Sequence, residues 1–328
     1  MSPLTSISPR AWSDMPHPPD VEPFLDAVLD GLSRPHKEIP CKFFYDANGS
    51  RLFERICELD EYYPTRTELD ILAEHGDVLA SLLPARPLLV EFGSGASVKI
   101  RRLLDALDRP AGYVPIDISR DHLLDAAAQV AADYPDMPVR PVHADFTRPF
   151  HLPDDLPEGP RIGFFPGSTI GNFHPANAVR MLEDFAAALA ARCWLLVGVD
   201  LKKEPRILHA AYNDAAQVTA AFNLNLLARI NRELDGNFDL DGFRHQATYN
   251  AAAGRIEMYL VSCREQQVRV GGRRFHFRTD ERIHTENSYK YTLDEFRLIA
   301  VAAGYSPVAA FTDPRQLFSV HLLVVGRP

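Results

Sequence analysis

Leu88-Leu89-Val90-Glu91-Phe92-Gly93-Ser94-Gly95-Ala96-Ser97-Val98-Lys99 is the stretch on which the fold turns. An apolar run of strand length breaks at Gly93 and Gly95 and passes into a helical pattern from Val98. Glycines at such a break let backbone N–H groups approach a ligand at a helix N-terminus. In open α/β sheets, ligands lie at the carboxyl ends of the strands. The stretch therefore points to a nucleotide-like cofactor. A lone Gly-x-Gly also occurs in ordinary tight turns, so the neighbouring strands must decide.

Those neighbours alternate strand and helix. Strands are expected at 88–92, 112–117, 139–143, 161–166 and 193–199, with helices around 98–107, 120–132 and 175–190. Residues 147–160, rich in Pro and Asp, read as a connecting loop. Such alternation predicts an α/β fold with a mostly parallel, doubly wound sheet. A dinucleotide fingerprint requires a third glycine where Val98 stands, which weakens an NAD reading. The next strand ends in Asp117, suited to accept hydrogen bonds from two ribose hydroxyls. The third runs into Asp145-Phe146, where a carboxylate can bond an adenine amine and a ring can cover its face. The fourth ends in Phe165-Pro166-Gly167-Ser168-Thr169-Ile170-Gly171-Asn172. An acid, Gly-x-Gly, a second acid and then Asp-Phe form the order expected of a sheet that binds S-adenosylmethionine. The pattern resembles the class I methyltransferases.

Outside this block the character changes. Residues 1–20 carry prolines and little periodicity, and read as a loose tail. Helices are expected at Val21–Leu32, around Leu52–Leu59, and through Leu69, Ile71 and Leu72 with Thr65 or Thr67 as its cap. A long helical pattern runs from Arg206 to Leu234, with a break near Phe222. Residues 245–278 read as an antiparallel meander punctuated at Gly254 and Gly271-Gly272. The α/β pattern then returns: a helix at Leu293–Ala303 closed by Gly304, and strands at Ser306–Asp313 and Ser319–Val325. Tyr45, Tyr62 and Tyr63 sit in loop-like segments. Their spacing allows either amphipathic packing or a pocket lining.

With 328 residues, 46% hydrophobic and 24% charged, the chain can bury a full core and build more than one domain. A net charge of −9 argues against a grip on nucleic-acid phosphates. No apolar run reaches membrane-spanning length. The four cysteines form no Cys-x-x-Cys pair, so free thiols and a cytoplasmic location are expected. The 12 histidines show no metal-ligand spacing, so no metal is expected.

Longer stretches resemble one family, the histidine Nα-methyltransferases of ergothioneine biosynthesis. They are Phe44 to Ser50 (FYDANGS), Glu61 to Glu68 (EYYPTRTE), Glu91 to Gly95, Gly167 to Asn172, Ala211 to Ala215 (AYNDA), Ile256 to Tyr259 (IEMY) and Thr285 to Lys290 (TENSYK). They occur in the family's order, from about residue 40 to the end. The resemblance implies a class I methyltransferase (Rossmann-like) sheet plus a discontinuous α+β substrate domain. Residues 14–67 and 203–290 would form the substrate domain and 68–202 and 291–328 the cofactor domain, with 1–13 as the tail.

The resemblance also implies site roles. Gly93, Lys99, Asp117, Asp145 and Phe146 would hold S-adenosylmethionine. Asn172 and Tyr212 would hold the α-carboxylate of the amino acid. Tyr45, with the Gly167 carbonyl, would face the α-amine as the catalytic residue. Tyr62, Glu286 and Ser288 would read the imidazole, with Met258 beside it. The implied activity is trimethylation of L-histidine to hercynine, with no nucleic acid, membrane or obligate protein partner. Indole N–H could also donate to Glu286, so another aromatic amino acid such as tryptophan is the alternative substrate. A non-catalytic S-adenosylmethionine-binding module is the third reading, and it leaves the amino-acid pocket without a purpose.

Overall fold

A computed structural model describes residues 24–95, 97–189 and 192–326. The expected tail, and residues 21–23 of the first expected helix, lie outside the described residues. In chain order the elements are α1 (Phe24–Ser33), β1 (Lys37–Glu38), α2 (Ala47–Cys57), α3 (Tyr63–Leu82), β2 (Leu88–Phe92), α4 (Val98–Ala106), β3 (Gly112–Asp117), α5 (Arg120–Asp133), β4 (Val142–His143), β5 (Arg161–Phe165), α6 (Pro175–Leu189) and β6 (Cys193–Asp200). They continue as α7 (Pro205–Tyr212), α8 (Val218–Glu233), β7 (Phe243–Asn250), β8 (Arg255–Ser262), β9 (Gln266–Val270), β10 (Arg273–Phe277), β11 (Arg282–Tyr289), α9 (Leu293–Ala302), β12 (Tyr305–Thr312) and β13 (Phe318–Val325).

The larger sheet has seven strands in the order β12-β13-β6-β5-β2-β3-β4. Strands β2 to β6 pair in parallel and β13 runs antiparallel to β6. This is the Rossmann-like sheet expected of a class I methyltransferase. All of β2 is buried, as a parallel strand covered on both faces requires. Leu88, Val90 and Phe92 pack into one core and Leu89 into the other, following the two-residue period of a strand. The winding reverses at β2, which has β3 on one side and β5 on the other. The crevice beyond that reversal is where such sheets bind ligands.

The second sheet has the order β1-β11-β8-β7, with β9 and β10 as a separate hairpin. A third core joins it to the N-terminal segment: Phe43, Phe44 and Tyr62 pack with Leu208, Phe222, Met258 and Ile283. The N-terminal strand β1 pairs with β11, and Ile39 N–H continues the ladder to the His284 carbonyl at 2.9 Å. No helix among the described residues is long and apolar enough to cross a membrane.

Four local expectations need correction. The strands of 245–278 are not one meander: β9 and β10 leave as a hairpin, and a further strand, β11, returns to pair with β8, its apolar alternation interrupted by Thr285, Asn287 and Ser288. A bulge between His284 and Glu286 also breaks the period. The long C-terminal helical pattern divides at 213–217, not near Phe222. There the Asp214 carboxylate accepts the Val218 and Thr219 N–H groups at 2.7 and 2.9 Å and starts α8. Neither Thr65 nor Thr67 caps α3, which begins at Tyr63 with Pro64 in its first turn. Finally, α2 starts at Ala47, because Asp46 accepts the Gly49 N–H at 2.6 Å.

Candidate active site

The glycine turn after β2 is built to leave room. Gly93 and Gly95 have φ of +76° and +48°, a region that disfavours side chains. A Cβ on Gly95 would meet nothing within 4 Å, so the turn opens onto space. The Gly95 N–H donates to Asp117 Oδ2 at 3.2 Å, and Ser119 N–H to Oδ1 at 2.9 Å. Burial pushes the Asp117 pKa up despite those bonds. The buried Ser94 hydroxyl has no hydrogen-bond partner among the described residues. Phe146 lies across the turn, with Cε1 3.4 Å from where a Gly93 Cβ would stand. Asp145 accepts from Thr147 and from Lys42 Nζ at 2.9 Å. Burial raises its pKa, and these bonds outweigh it and hold the carboxyl below its usual range. An open turn, an orphaned hydroxyl, two strand-end carboxylates and a covering ring fit an adenosyl ligand. Glu91 does not join them: it is buried against the Tyr113 hydroxyl, and burial raises its pKa to about 8.

Below the turn lies a buried ion pair that connects the two halves. Glu68 of α3 is fully buried, and its Oε2 meets Lys99 Nζ at 2.7 Å and the Gly167 N–H at 2.9 Å. Glu68 Oε1 is unpartnered and lies against Gly198, where a Cβ would collide with it. Lys99 is thus tied to Glu68 and sits 3.1 Å from where a Gly167 Cβ would stand.

The substrate half is an aromatic wall around a carboxylate. Tyr45 follows a 3₁₀ turn (Cys41–Phe44) and is anchored through Asp46, which Asn225 of α8 bonds at 2.8 Å. The Tyr45 ring meets Phe53 and Phe222 edge-on at 5.7 and 5.9 Å. Tyr62 continues the wall, 6.2 Å from Phe53 and 6.3 Å from Tyr212. Burial, then the Glu286 charge, raise the Tyr45 pKa well above 10, and Asp117 adds to it. Tyr45 is therefore within the charge field of both the expected substrate carboxylate and the expected cofactor carboxylate. The wall also places Tyr62 near Glu286, whose charge adds to the burial and the neighbouring tyrosines that raise its pKa.

Glu286 faces Met258 across the β8–β11 ladder. Its carboxyl makes no hydrogen bond among the described residues, and burial lifts its pKa to about 7 against the pull of Lys290. Two residues on, Ser288 Oγ accepts the Tyr212 hydroxyl at 2.8 Å. Asn172 ends a 3₁₀ turn (Thr169–Asn172) seated against Tyr289 at Gly171, and its side chain makes no hydrogen bond among the described residues.

The structure thus gathers Tyr45, Tyr62, Tyr212, Met258, Glu286 and Ser288, with Asp117 bordering them. Asp145, Phe146 and Gly93 form the cofactor side, with Lys99 and Gly167 joined below through Glu68. Sequence reasoning missed Glu68, Phe53, Phe222, Asp200 and Lys290. Glu68 and Lys290 stood at the ends of motifs already singled out; Phe53 and Phe222 carry no signal beyond an aromatic on a helix.

Residues 24–325 match the family described as histidine-specific, S-adenosylmethionine-dependent methyltransferases. The chain is 41% identical over 302 residues to the histidine N-alpha-methyltransferase of Mycolicibacterium smegmatis, covering 90% of this chain and 93% of that one. Against the enzyme of the same name from Mycobacterium tuberculosis it is 39% identical over 300 residues, 90% of this chain and 92% of that one. Ergothioneine biosynthesis protein 1 of Neurospora crassa is 30% identical over 319 residues, 94% of this chain but 36% of that longer protein.

Proposed function

The chain belongs to the histidine-specific, S-adenosylmethionine-dependent methyltransferases, and on that premise we propose how its own residues perform the transfer. Its reaction is methylation of the α-nitrogen of L-histidine, in ergothioneine synthesis. We assign the product as the trimethylated betaine hercynine. S-adenosylmethionine, when bound, supplies a methyl group on a sulfonium, open to in-line attack by an amine. Gly93, Asp117, Asp145 and Phe146 would hold the adenosyl part, with Lys99 and Glu68 supporting the turn at Gly167.

The residues on the substrate side chiefly place the nucleophile. Asn172 would hold the α-carboxylate and so aim the amine, with Tyr212 beside it giving its hydroxyl proton to Ser288. Well-held reactants can gain about 7–11 kcal/mol from orientation alone. Tyr45 keeps its proton, because its pKa is raised. Its oxygen can therefore accept a hydrogen bond from the amine and orient the lone pair, and it relays a proton only by giving up its own. The faces of Tyr45, Tyr62 and Tyr212 suit the growing methylammonium, which has fewer N–H donors at each step and gains from cation–π attraction.

The observation that carries histidine as the substrate is the half-buried Glu286 carboxyl beside Met258, which makes no hydrogen bond among the described residues. A partly desolvated carboxylate without a donor is costly, and a ring N–H supplies one. Phenylalanine and leucine cannot. The sequence-level division is kept as a proposal for the described residues: 24–67 and 203–290 form the substrate part, and 68–202 with 291–326 the cofactor part, while 14–23 and 327–328 lie outside the described residues. The core shared by Phe43, Tyr62, Leu208 and Met258 supports it. We also propose a cytoplasmic location, which four free thiols support.

The test is incubation of the purified protein with S-adenosylmethionine and each of the twenty amino acids, read by mass spectrometry. Histidine should gain up to three methyls. Gain on tryptophan and not on histidine would overturn the reading, and no gain on any amino acid would favour a silent binding module.

A further inference from the structure

Lys290 follows β11 and is buried to 1% exposure, where a cation is not expected without a task. Its Nζ reaches Asp200 Oδ2 at 2.7 Å, Ser288 Oγ at 2.7 Å and Tyr212 Oη at 3.0 Å. An ammonium has three protons and no lone pair, so these contacts use all it can give. Asp200 is independently secured: both its oxygens receive the Tyr63 hydroxyl at 2.8 Å, and Lys203 also pairs with it. The cation is therefore held from the large sheet while it addresses two hydroxyls in the substrate pocket.

Each hydroxyl owns one proton and two lone pairs. Lys290 fills one lone pair on Ser288 and one on Tyr212, and the two oxygens stand 2.8 Å apart. Whichever donates to the other, the accepting oxygen has both lone pairs filled and one proton left to offer. Here Tyr212 donates to Ser288, so Ser288 is the oxygen with both lone pairs filled and its own proton left to offer. Ser288 is thereby fixed as a donor.

Glu286 and Ser288 are two residues apart on β11 and share one face. One accepts and the other is made to donate. We propose that Lys290 is a positioning residue that fixes Ser288 as a hydrogen-bond donor, so that the pocket reads histidine as its neutral imidazole, N–H to Glu286 and bare nitrogen to Ser288. This rests on the reading of Glu286, Ser288 and Tyr212 as the histidine-facing residues. It adds what the substrate's second nitrogen must be: unprotonated. An imidazolium, with two N–H groups, meets a donor with a donor.

The experiment is calorimetric binding in the presence of S-adenosylhomocysteine. The ligands are histidine and its pyrrol-2-yl and pyrrol-3-yl analogues, each of which keeps one ring N–H and replaces the other nitrogen with C–H. Wild type should bind histidine about tenfold more tightly than the better pyrrole, the value of one such hydrogen bond. Lys290→Met should shrink that ratio to about twofold or less, with S-adenosylhomocysteine affinity unchanged. If Lys290→Met does not fold, Lys290→Met/Asp200→Asn removes both charges together and should give the same narrowed ratio. An unchanged ratio in whichever variant folds, or a parallel loss for all three ligands and S-adenosylhomocysteine, marks Lys290 as merely structural and overturns the proposal. Absence of histidine binding to wild type would overturn the substrate reading as well, which separates the two failures.

Discussion

Replacing Glu286 by Gln should make the ligand-free protein more stable and a poorer binder of histidine, and the first effect has a pH signature. The half-buried carboxyl makes no hydrogen bond among the described residues, and desolvation pushes its pKa up to about 7 from an ordinary 4.5. The folded chain thus holds this proton more tightly than the unfolded chain does. Stability must fall as pH rises from 4.5 through 7, because over that window the folded state has to give up a proton the unfolded state has already lost. At 1.36 kcal/mol per pH unit, the gap costs the wild type about 3 kcal/mol at pH 8. Glutamine has the same shape and does not ionise. Glu286→Gln should therefore gain up to about 3 kcal/mol over wild type at pH 8, less than about 1 kcal/mol at pH 5, and nothing near pH 4. Urea unfolding at these pH values, without ligand, measures it. Histidine affinity should move the opposite way, falling about tenfold in the variant at pH 8, because the charge-assisted bond to the ring N–H is lost. A stability gap that does not change with pH, or a wild type more stable than the variant at pH 8, would refute the reasoning. The expected trade is a site that forgoes stability to keep an acceptor waiting.

Further substitutions test the supports around the site. Gly198→Ala drives a Cβ into the Glu68 carboxylate and to 3.1 Å from Phe318 Cε1. It should lower stability by about 1–3 kcal/mol in urea unfolding and raise the KM for S-adenosylmethionine, since Lys99 and Gly167 lose their partner. Gly171→Ala places a Cβ 2.7 Å from the Tyr289 carbonyl oxygen and pushes the turn bearing Asn172 off β11. The KM for histidine should rise about tenfold, the cost of one carboxylate contact, with cofactor affinity unchanged in a binding titration. Tyr45→Phe keeps the ring contacts to Phe53 and Phe222 and removes only the hydroxyl. Steady-state kinetics should show kcat lower by about a hundredfold and the KM for histidine nearly constant; a change in KM alone would remove Tyr45 from the chemistry.

Much of the cofactor half was legible before any coordinates. A strand that breaks at glycines, followed by strands that run into Asp117 and Asp145, points to its ligand locally: a short, nearly continuous apolar run marks a strand buried on both faces, and residues just past its end face the crevice. The β11 strand was not legible in this way. Its polar residues and its bulge at Thr285 hide the alternation that marks a strand, although the motif it carries was visible. The helix break at Asp214 was misplaced because a capping aspartate resembles any other polar residue on a long helical pattern.

The sequence by itself determined the doubly wound sheet, the cofactor turn and, through its motifs, the family, because these depend on residues close together along the chain. What the tertiary structure decided are the meetings across long separations. Tyr45 reaches the charge field of both Glu286 and Asp117, Glu68 joins Lys99 to Gly167, and Lys290 spans Asp200 and the Tyr212–Ser288 pair. No periodicity encodes such contacts. They follow from β1 pairing with β11 and from α3 packing on β13 with Glu68 set against Gly198 of β6, which bring charges into a low-dielectric interior where each must find a partner. Glu286 makes no hydrogen bond among the described residues, which is why it is proposed as the acceptor for the substrate.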